Sequence, residues 1–270
     1  MTYSRVLILG CGYTGTAVLR QAAARGLPVV ATVRSEERAK ALASEPAEIV
    51  QAPALDASIR EQVDGNTHVV VAFQPDPATD EVVSKCLAGA HSIAYVSSTG
   101  VFGDLRGTID DSVQPPSPPS ERSARILRAE SLYREQGATV LRAAGIYGPD
   151  RGLHMRVLRG EHRIPGDGSR KLSRIHVEDL AAFALAAGDH QARGETFVIG
   201  DEQPAPHIEV IRFICETYGC AMPPSIPLES AHATLQVDRS IDSTRARAQL
   251  RVNLRYPSYR IGMSRAATGL

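Results

Sequence analysis

The stretch Val6-Leu7-Ile8-Leu9-Gly10-Cys11-Gly12-Tyr13-Thr14-Gly15 decides how this chain begins to fold. An apolar run typical of a buried strand passes directly into a G-x-G-x-x-G turn, and the alanine-rich residues 16–24 then favour a helix. In such a turn the first glycine permits the tight bend, the second lets a pyrophosphate approach the backbone, and the third lets the helix pack on the strand. The free N–H groups at the helix start favour phosphate. The stretch therefore predicts dinucleotide binding, with a plain strand-to-helix turn as the alternative.

Short β-branched runs alternate with helical stretches over the first 145 residues. The predicted strands are residues 6–9, 29–33, 49–51, 68–73, 93–96 and 139–142, and the predicted helices are residues 16–24, 58–63, 79–87 and 121–136. Continuous apolar strands between helices are typical of a parallel sheet covered on both faces. We expect a doubly wound α/β domain over residues 1–145 and a smaller lobe over residues 146–270. The boundary is soft, because a late strand at residues 197–199 could rejoin the sheet.

Composition narrows the classes of function. The 270 residues carry 30 basic and 30 acidic side chains, so a general electrostatic grip on nucleic acid or on an acidic membrane is not expected. No apolar run reaches the length of a membrane-spanning helix. Four scattered cysteines do not indicate a disulfide scaffold or a metal site, and they favour a reducing cytoplasm. The excess of arginine over lysine is interpreted as composition bias, and the oligomeric state stays open.

The end of the second predicted strand bears on which dinucleotide binds. An NAD site usually places an acid about 20 residues after the glycines, on the ribose 2′-hydroxyl, whereas Arg34 and Ser35 stand there. Because arginine can pair with a 2′-phosphate, NADP is the favoured cofactor and NAD remains possible. In the alternative, Arg34 is a solvated cation and Glu36 or Glu37 holds the ribose. Asp56 either accepts a hydrogen bond from the adenine amine or caps a helix.

Three further motifs follow in order. They are Y-V-S-S-T-G-V-F-G at residues 95–103, L-R-A-A-G-I-Y-G-P at residues 141–149 and R-I-H-V-E-D-L at residues 174–180. With the glycine turn, they resemble the extended short-chain dehydrogenase/reductase family, the epimerase/dehydratase group. The resemblance implies an α/β fold with a Rossmann-type doubly wound parallel sheet and a small C-terminal substrate lobe. It also implies an NAD(P)-dependent oxidoreductase or epimerase that acts on a small oxygenated molecule.

The catalytic pattern of that family is incomplete here. The resemblance places Ser98 at the hydroxyl position that orients substrate, but it places Arg122 and Ile126 where the family has the Tyr and Lys of Tyr-x-x-x-Lys. None of the three lysines lies four residues after a tyrosine, so no shift of register restores the pair. Arginine stays protonated at any working pH and cannot replace the tyrosine as a proton donor. Leu9, where the family usually has glycine, is a second departure, and both departures are typical of an atypical branch.

The remaining candidates for chemistry are few. Tyr147 could replace the missing proton donor, or it could be a packing residue. Arg122, together with Arg125, could position a carboxylate or phosphate of a substrate, or the two could be a solvated pair. His176 and His154 are interpreted as structural rather than catalytic.

We expect the catalytic residues Ser98, Tyr147 and Arg122, and the cofactor-binding residues Gly10, Gly12, Tyr13, Thr14, Gly15, Arg34, Ser35, Asp56 and Phe73. The favoured function is an enzyme with non-standard proton transfer. A non-catalytic NADP(H)-binding redox sensor or partner-binding module is the alternative, and a Rossmann scaffold that binds nothing is a third hypothesis.

Overall fold

The computed structural model describes residues 3–190 and 192–270. The strands are β1 (Arg5–Leu9), β2 (Val29–Val33), β3 (Glu48–Gln51), β4 (Thr67–Val71), β5 (Ser92–Ser98), β6 (Gly107–Ile109), β7 (Thr139–Ala143), β8 (Gly145–Tyr147), β9 (Ile164–Pro165), β10 (Lys171–Leu172), β11 (Arg174–His176), β12 (Thr196–Ile199), β13 (Ala205–Pro206), β14 (Ser225–Ile226) and β15 (Arg239–Ile241). The helices are α1 (Tyr13–Ala24), α2 (Glu36–Ala41), α3 (Pro77–Cys86), α4 (Glu121–Glu135), α5 (Leu153–Leu158), α6 (Val177–Asp189), α7 (His207–Tyr218), α8 (Ala233–Gln236), α9 (Thr244–Leu250), α10 (Tyr259–Gly262) and α11 (Arg265–Thr268). Single 3-10 turns cover Ala57–Gln62, Thr99–Phe102 and Leu228–Ser230.

Seven parallel strands form the central sheet, in the order β12-β7-β5-β4-β1-β2-β3. The chain runs outward from β1 in one direction through β2 and β3, and then in the other direction through β4. Ligands of such sheets bind where the direction reverses, outside the carboxyl ends of the strands. The glycine turn follows β1, Phe73 follows β4 and Ser98 ends β5, so all three lie at that edge of the sheet.

Alternate residues of the strands enter cores on opposite faces of the sheet. In β1, Val6 and Ile8 pack in the core formed with α1 and α6, whereas Leu7 and Leu9 pack in the core formed with α3 and α4. Because both faces are buried, the strand has no polar side and its sequence reads as an unbroken apolar run.

Local hydrogen bonds set where several helices begin. The Ser35 hydroxyl accepts from the Arg38 N–H at the start of α2, and the Asp76 carboxylate accepts from the Thr79 N–H at the start of α3. The Ser120 hydroxyl does the same for the Ser123 N–H and fixes the first turn of α4. Side-chain caps of this kind satisfy N–H groups that the helix itself leaves unpaired. The position of α4 matters, because its first turn reaches the site described below.

The later part of the chain divides between two cores. Strand β12 pairs with β7 and α6 covers the sheet, so these elements extend the central layer beyond residue 145. A separate core joins α5, α7 and α10 around Tyr147, Ile214 and Tyr259. The segment between β5 and α4 contains the three-residue strand β6, which pairs with β15. The expected α/β Rossmann-type architecture is confirmed, and the division at residue 145 stays a prediction.

Within residues 3–190 and 192–270, no helix combines the length and apolar character that crossing a bilayer requires.

Candidate functional site

The glycine turn has the shape that a pyrophosphate needs. Gly10 has a φ of +88°, and a Cβ there would lie 2.8 Å from the Cβ of Phe73. A Cβ on Gly15 would lie 2.8 Å from the Gly10 carbonyl oxygen, so only glycine lets α1 pack this close to the turn. At Gly12, by contrast, a Cβ would meet nothing within 4 Å, and no side chain caps the helix. The first N–H groups of α1 therefore have no side-chain acceptor, and the space beside Gly12 is open, which fits a bound phosphate pair.

An arginine that the sequence analysis missed braces this turn. Arg38 donates from Nε to the Cys11 carbonyl oxygen at 3.1 Å, and from Nη2 to the Gly12 carbonyl oxygen at 3.2 Å and to Thr16 Oγ1 at 2.6 Å. The guanidinium thus brings a positive charge to the glycine turn. In the sequence it is one of several charged residues on a short surface helix, and nothing local marks it as different.

The four residues directly after β2 differ in their contacts. Arg34 is exposed, and Ser35 caps α2 with its side chain. Glu36 pairs with Lys40 at 2.7 Å across one turn of α2, while Glu37 is exposed.

Asp56 accepts hydrogen bonds from the N–H of Ser58 at 2.9 Å and from its hydroxyl at 2.6 Å, and it begins the 3-10 turn Ala57–Gln62. These bonds lower the pKa of the exposed Asp56 carboxyl below its usual value. Capping, the alternative considered for Asp56, is therefore the role visible in its contacts.

Tyr13 connects the turn to the segment after β8. Its ring lies under the Arg151 guanidinium, 5.1 Å from the ring centroid, and its hydroxyl occupies the space where a Cβ on Gly148 would stand. Burial, with the nearby Asp150 carboxylate, raises the pKa of the Tyr13 hydroxyl. Gly148 is needed for this contact, because any larger side chain would displace the tyrosine ring.

A cavity of about 660 Å³, here called the turn cavity, lies beside the glycine turn. Its walls include Tyr13, Thr14, Phe73, Ser98, Arg122 and Arg125. All six of these residues are candidates that the sequence suggests, and the fold brings them together from α1, the end of β4, the end of β5 and the start of α4.

A second cavity of about 570 Å³, here called the lobe cavity, lies between the sheet edge and the C-terminal elements. Four residues line both cavities: Ser98, Arg122, Ile146 and Arg151. The Ser98 hydroxyl accepts from the Gly100 N–H at 3.0 Å, which leaves its proton available to another acceptor. Ser98 and Arg122 therefore stand at the junction where a molecule in one cavity would meet a molecule in the other.

Ile126 is buried and lies against Gly100, so it supplies packing at the position where the family has lysine.

Tyr147 borders the lobe cavity, but its hydroxyl points into the protein. The hydroxyl donates to the Ser258 carbonyl oxygen at 3.5 Å and fills the space beside Gly262, and burial raises its pKa. His176 packs edge-on to the Tyr147 ring, stacks on Tyr256 at 3.7 Å and caps α6. These contacts are those of packing residues, the alternative considered for Tyr147 and the interpretation favoured for His176.

His154 is also buried, with its Nε2 3.2 Å from the Pro149 carbonyl oxygen.

Several arginines that line the lobe cavity were missed. Arg174 and Arg239 are each only 7% exposed, and Arg151, Arg156 and Arg159 stand at its exposed rim.

A family model described as NAD(P)H-binding matches residues 10–191, which is more than half of the chain. The chain is 26% identical to the 3-diazoavenalumate denitrifying reductase of a Streptomyces species, over 97% of this chain and 99% of that protein. A protein of unknown function from Silicibacter pomeroyi has a solved structure with a TM-score of 0.84 and 28% identity, covering 98% of both chains.

A UDP-glucuronic acid 4-epimerase from Bacillus cereus, solved with UDP-glucuronic acid and NAD, has a TM-score of 0.79 at 17% identity, over 98% of this chain and 97% of that chain. At that identity the likeness concerns the fold alone. The resemblance to NAD(P)-dependent epimerases, dehydratases and reductases that the sequence predicts is confirmed. The chain belongs to the NAD(P)H-binding family, and it has a Rossmann fold.

Proposed function

We propose that this chain is an NADP(H)-preferring oxidoreductase that transfers hydride to or from a small oxygenated substrate. The junction of the two cavities at Ser98 and Arg122 carries the proposal. A dinucleotide on the glycine turn would extend along the turn cavity, and a substrate in the lobe cavity would meet it at that junction. The relative that covers nearly the whole chain is named a reductase, which favours reduction as the direction.

The preference for NADP(H) is supported by the charges near the end of β2. Arg34 is exposed directly after the strand, and Arg38 holds a second positive charge on the turn. Glu36, one of the two acids that could take a ribose hydroxyl, pairs instead with Lys40. A 2′-phosphate would gain charge-assisted hydrogen bonds from these arginines.

The chemistry follows from the groups at the junction. A bound nicotinamide supplies hydride. Ser98 Oγ can donate a hydrogen bond to the substrate oxygen, since its own acceptor contact is to the Gly100 N–H. Arg122 stabilises the negative charge that grows on that oxygen and keeps its own protons. Because the Tyr147 hydroxyl is committed to Ser258, we assign the proton that completes the product to water entering the open cavity.

Activity can be tested by following NADPH absorbance with a panel of aldehydes, ketones and keto acids. We expect at least one compound to be reduced. Ser98→Ala should then lower kcat by about tenfold or more, because the substrate oxygen loses a donor. Ser131→Ala, an exposed serine on α4, is the matched control and should leave kcat unchanged. Absence of turnover above the solvent background across the panel would overturn the proposal, and tight NADPH binding without turnover would favour the redox-sensor alternative.

A further inference from the structure

Arg174 is a buried cation without an anion. Within the described residues its guanidinium makes one hydrogen bond, from Nη1 to the Leu172 carbonyl oxygen at 2.9 Å, and no carboxylate lies within 4 Å. The side chain is 7% exposed and lines the lobe cavity. Asp201 attracts it from farther away, but burial raises the pKa of that carboxyl to about 7, so its charge is partial near neutral pH. A buried charge without a counterion is costly, so an anionic ligand that reaches Arg174 would gain from pairing with it.

Arg239 repeats the pattern on a neighbouring wall. Its Nη1 donates to the Thr99 carbonyl oxygen at 2.7 Å and its Nη2 to the Gly103 carbonyl oxygen at 2.9 Å. Both acceptors are neutral, and among the described residues no carboxylate lies within 4 Å, although Asp104 attracts the guanidinium from farther away. These bonds also fix the guanidinium beside the segment that follows Ser98, at the reactive end of the cavity.

Most of the other charged residues that line the lobe cavity are also positive. Four exposed arginines add to the two buried ones, whereas Asp150 is the one carboxylate among the described residues that line the lobe cavity; the exposed arginines are Arg122, Arg151, Arg156 and Arg159. The chain as a whole is neutral, so this concentration of positive charge is local.

His162 and His207 lie 2.9 Å apart through their Nε2 atoms, and burial beside the arginines lowers their pKa values to about 4 and about 3. They are neutral near pH 7 and contribute no counterion.

We infer that the lobe cavity binds the oxyanion group of the substrate, a carboxylate or a phosphate, on Arg174 and Arg239. Arg156 and Arg159 attract the anion at the rim. The inference rests on the proposed function for the identity of the ligand as substrate, and it narrows that substrate from an oxygenated molecule to an organic acid or a phosphorylated one. Arginine suits this role because its planar donors match both oxyanions.

Isothermal titration calorimetry on the full chain tests the inference, with cinnamate, its neutral analogue cinnamamide and inorganic phosphate as probes, each with and without saturating NADPH. We expect at least one anion to bind about tenfold or more tightly than cinnamamide. Arg174→Gln should weaken that anion by about tenfold or more, and Arg212→Gln, which removes an exposed arginine on α7, should not. Because Arg174→Gln could fail to fold, the exposed pair R156Q/R159Q provides a second variant, expected to weaken the anion about threefold or more.

Each result decides a question. Binding of cinnamate alone assigns a carboxylate site, binding of phosphate alone assigns a phosphate site, and binding of both supports the shared chemistry. The inference is overturned if neither cinnamate nor phosphate binds, or if cinnamate and cinnamamide bind with equal affinity. The NADPH titration is separate: anion binding by a chain that does not bind NADPH would overturn the proposed function and leave the anion site standing. NADPH turnover without anion binding would overturn the anion site and leave the proposed function standing.

Discussion

The Glu130 carboxylate accepts two hydrogen bonds from the Arg142 guanidinium, one from Nε at 3.0 Å and one from Nη2 at 2.8 Å. Both side chains are buried, and the Ser97 hydroxyl donates a third bond to Glu130 at 2.6 Å. The network ties α4 to β5 and β7 beneath the sheet edge. Since Arg122 lies in the first turn of the same helix, the buried ion pair holds the element that places Arg122 at the junction of the two cavities.

Glu130→Ala is expected to lower the free energy of unfolding by about 3–5 kcal/mol, because it leaves the Arg142 charge buried without a partner. Urea unfolding followed by circular dichroism measures the loss. Glu135→Ala, an exposed acid on the same helix, should change stability by less than about 0.5 kcal/mol. Similar small losses in both variants would show that the ion pair does not stabilise the fold.

The strands of the main sheet could be predicted because their burial leaves a pattern in the neighbouring sequence. Strands β1, β2, β4 and β7 are buried on both faces, so each reads as a short apolar run between helices. The minor strands could not, because β6 and β15 have three residues each and pair across more than 100 positions of sequence. Two or three residues carry no periodicity, and their pairing depends on tertiary packing.

The candidate site also contains residues that could be predicted from the sequence and residues that could not. Ser98 was expected near the site because it lies in the motif at residues 95–103, and Arg122 because the resemblance assigns it to the position of the family's tyrosine. The glycine turn was expected because G-x-G-x-x-G between a strand and a helix is typical of a dinucleotide site. Arg38, Arg174 and Arg239 could not be predicted, since a single arginine looks the same in sequence whether it is solvated or buried. Burial of Arg239 depends on β15 lying against the segment after β5, which no local pattern reports.

Gly12→Ala is expected to separate cofactor binding from stability. The added methyl group meets no protein atom within 4 Å, so the melting temperature should shift by no more than about 2–4 °C. The methyl group would, however, occupy the space beside the first N–H groups of α1, and NADPH affinity should fall about tenfold or more. Gly65→Ala, whose Cβ is equally unobstructed, should retain both properties. Unchanged NADPH affinity in Gly12→Ala would remove the glycine turn as the phosphate site.

Arg34→Ala is expected to weaken NADPH far more than NADH, by about tenfold against less than about threefold, because the two cofactors differ by the 2′-phosphate alone. Fluorescence titration with both cofactors measures the ratio. Lys85→Ala removes an exposed cation on α3 that pairs with Glu81, and it should leave the ratio unchanged. Equal losses of NADPH and NADH in Arg34→Ala would mean that this arginine does not read the phosphate.

Tyr147→Phe is expected to leave kcat within about threefold of the parent value and to lower stability by about 1 kcal/mol, the contribution of one buried hydrogen bond. The reason is geometric, since the hydroxyl contacts the Ser258 carbonyl oxygen rather than the cavity. If Tyr147 supplied the proton, kcat would instead fall about a hundredfold or more. Steady-state kinetics on the substrate identified with NADPH distinguishes the two outcomes.

Acid should weaken the fold through its buried histidines, and His68 gives the clearest case. It is fully buried, with Nδ1 2.8 Å from Ser92 Oγ and Nε2 2.9 Å from the Ala184 carbonyl oxygen, and desolvation lowers its pKa from 6.5 to about 4. The folded chain therefore keeps His68 neutral in a range where the unfolded chain protonates it. Its contribution to stability is fully present above pH 6.5 and is lost progressively as the pH falls towards 4.

Asp201 opposes this trend, because its raised pKa of about 7 stabilises the fold at low pH and that contribution is lost as the pH rises through 7. A comparison of variants removes this background. Between pH 7.5 and pH 5, the parent should lose about 2 kcal/mol more than His68→Gln, which is destabilised at every pH but has one proton fewer to take up on unfolding. His190→Gln, at an exposed site, should follow the parent curve. Parallel stability curves for the parent and His68→Gln, measured by urea unfolding at each pH, would show that His68 titrates alike in both states and that its burial does not make the fold sensitive to acid.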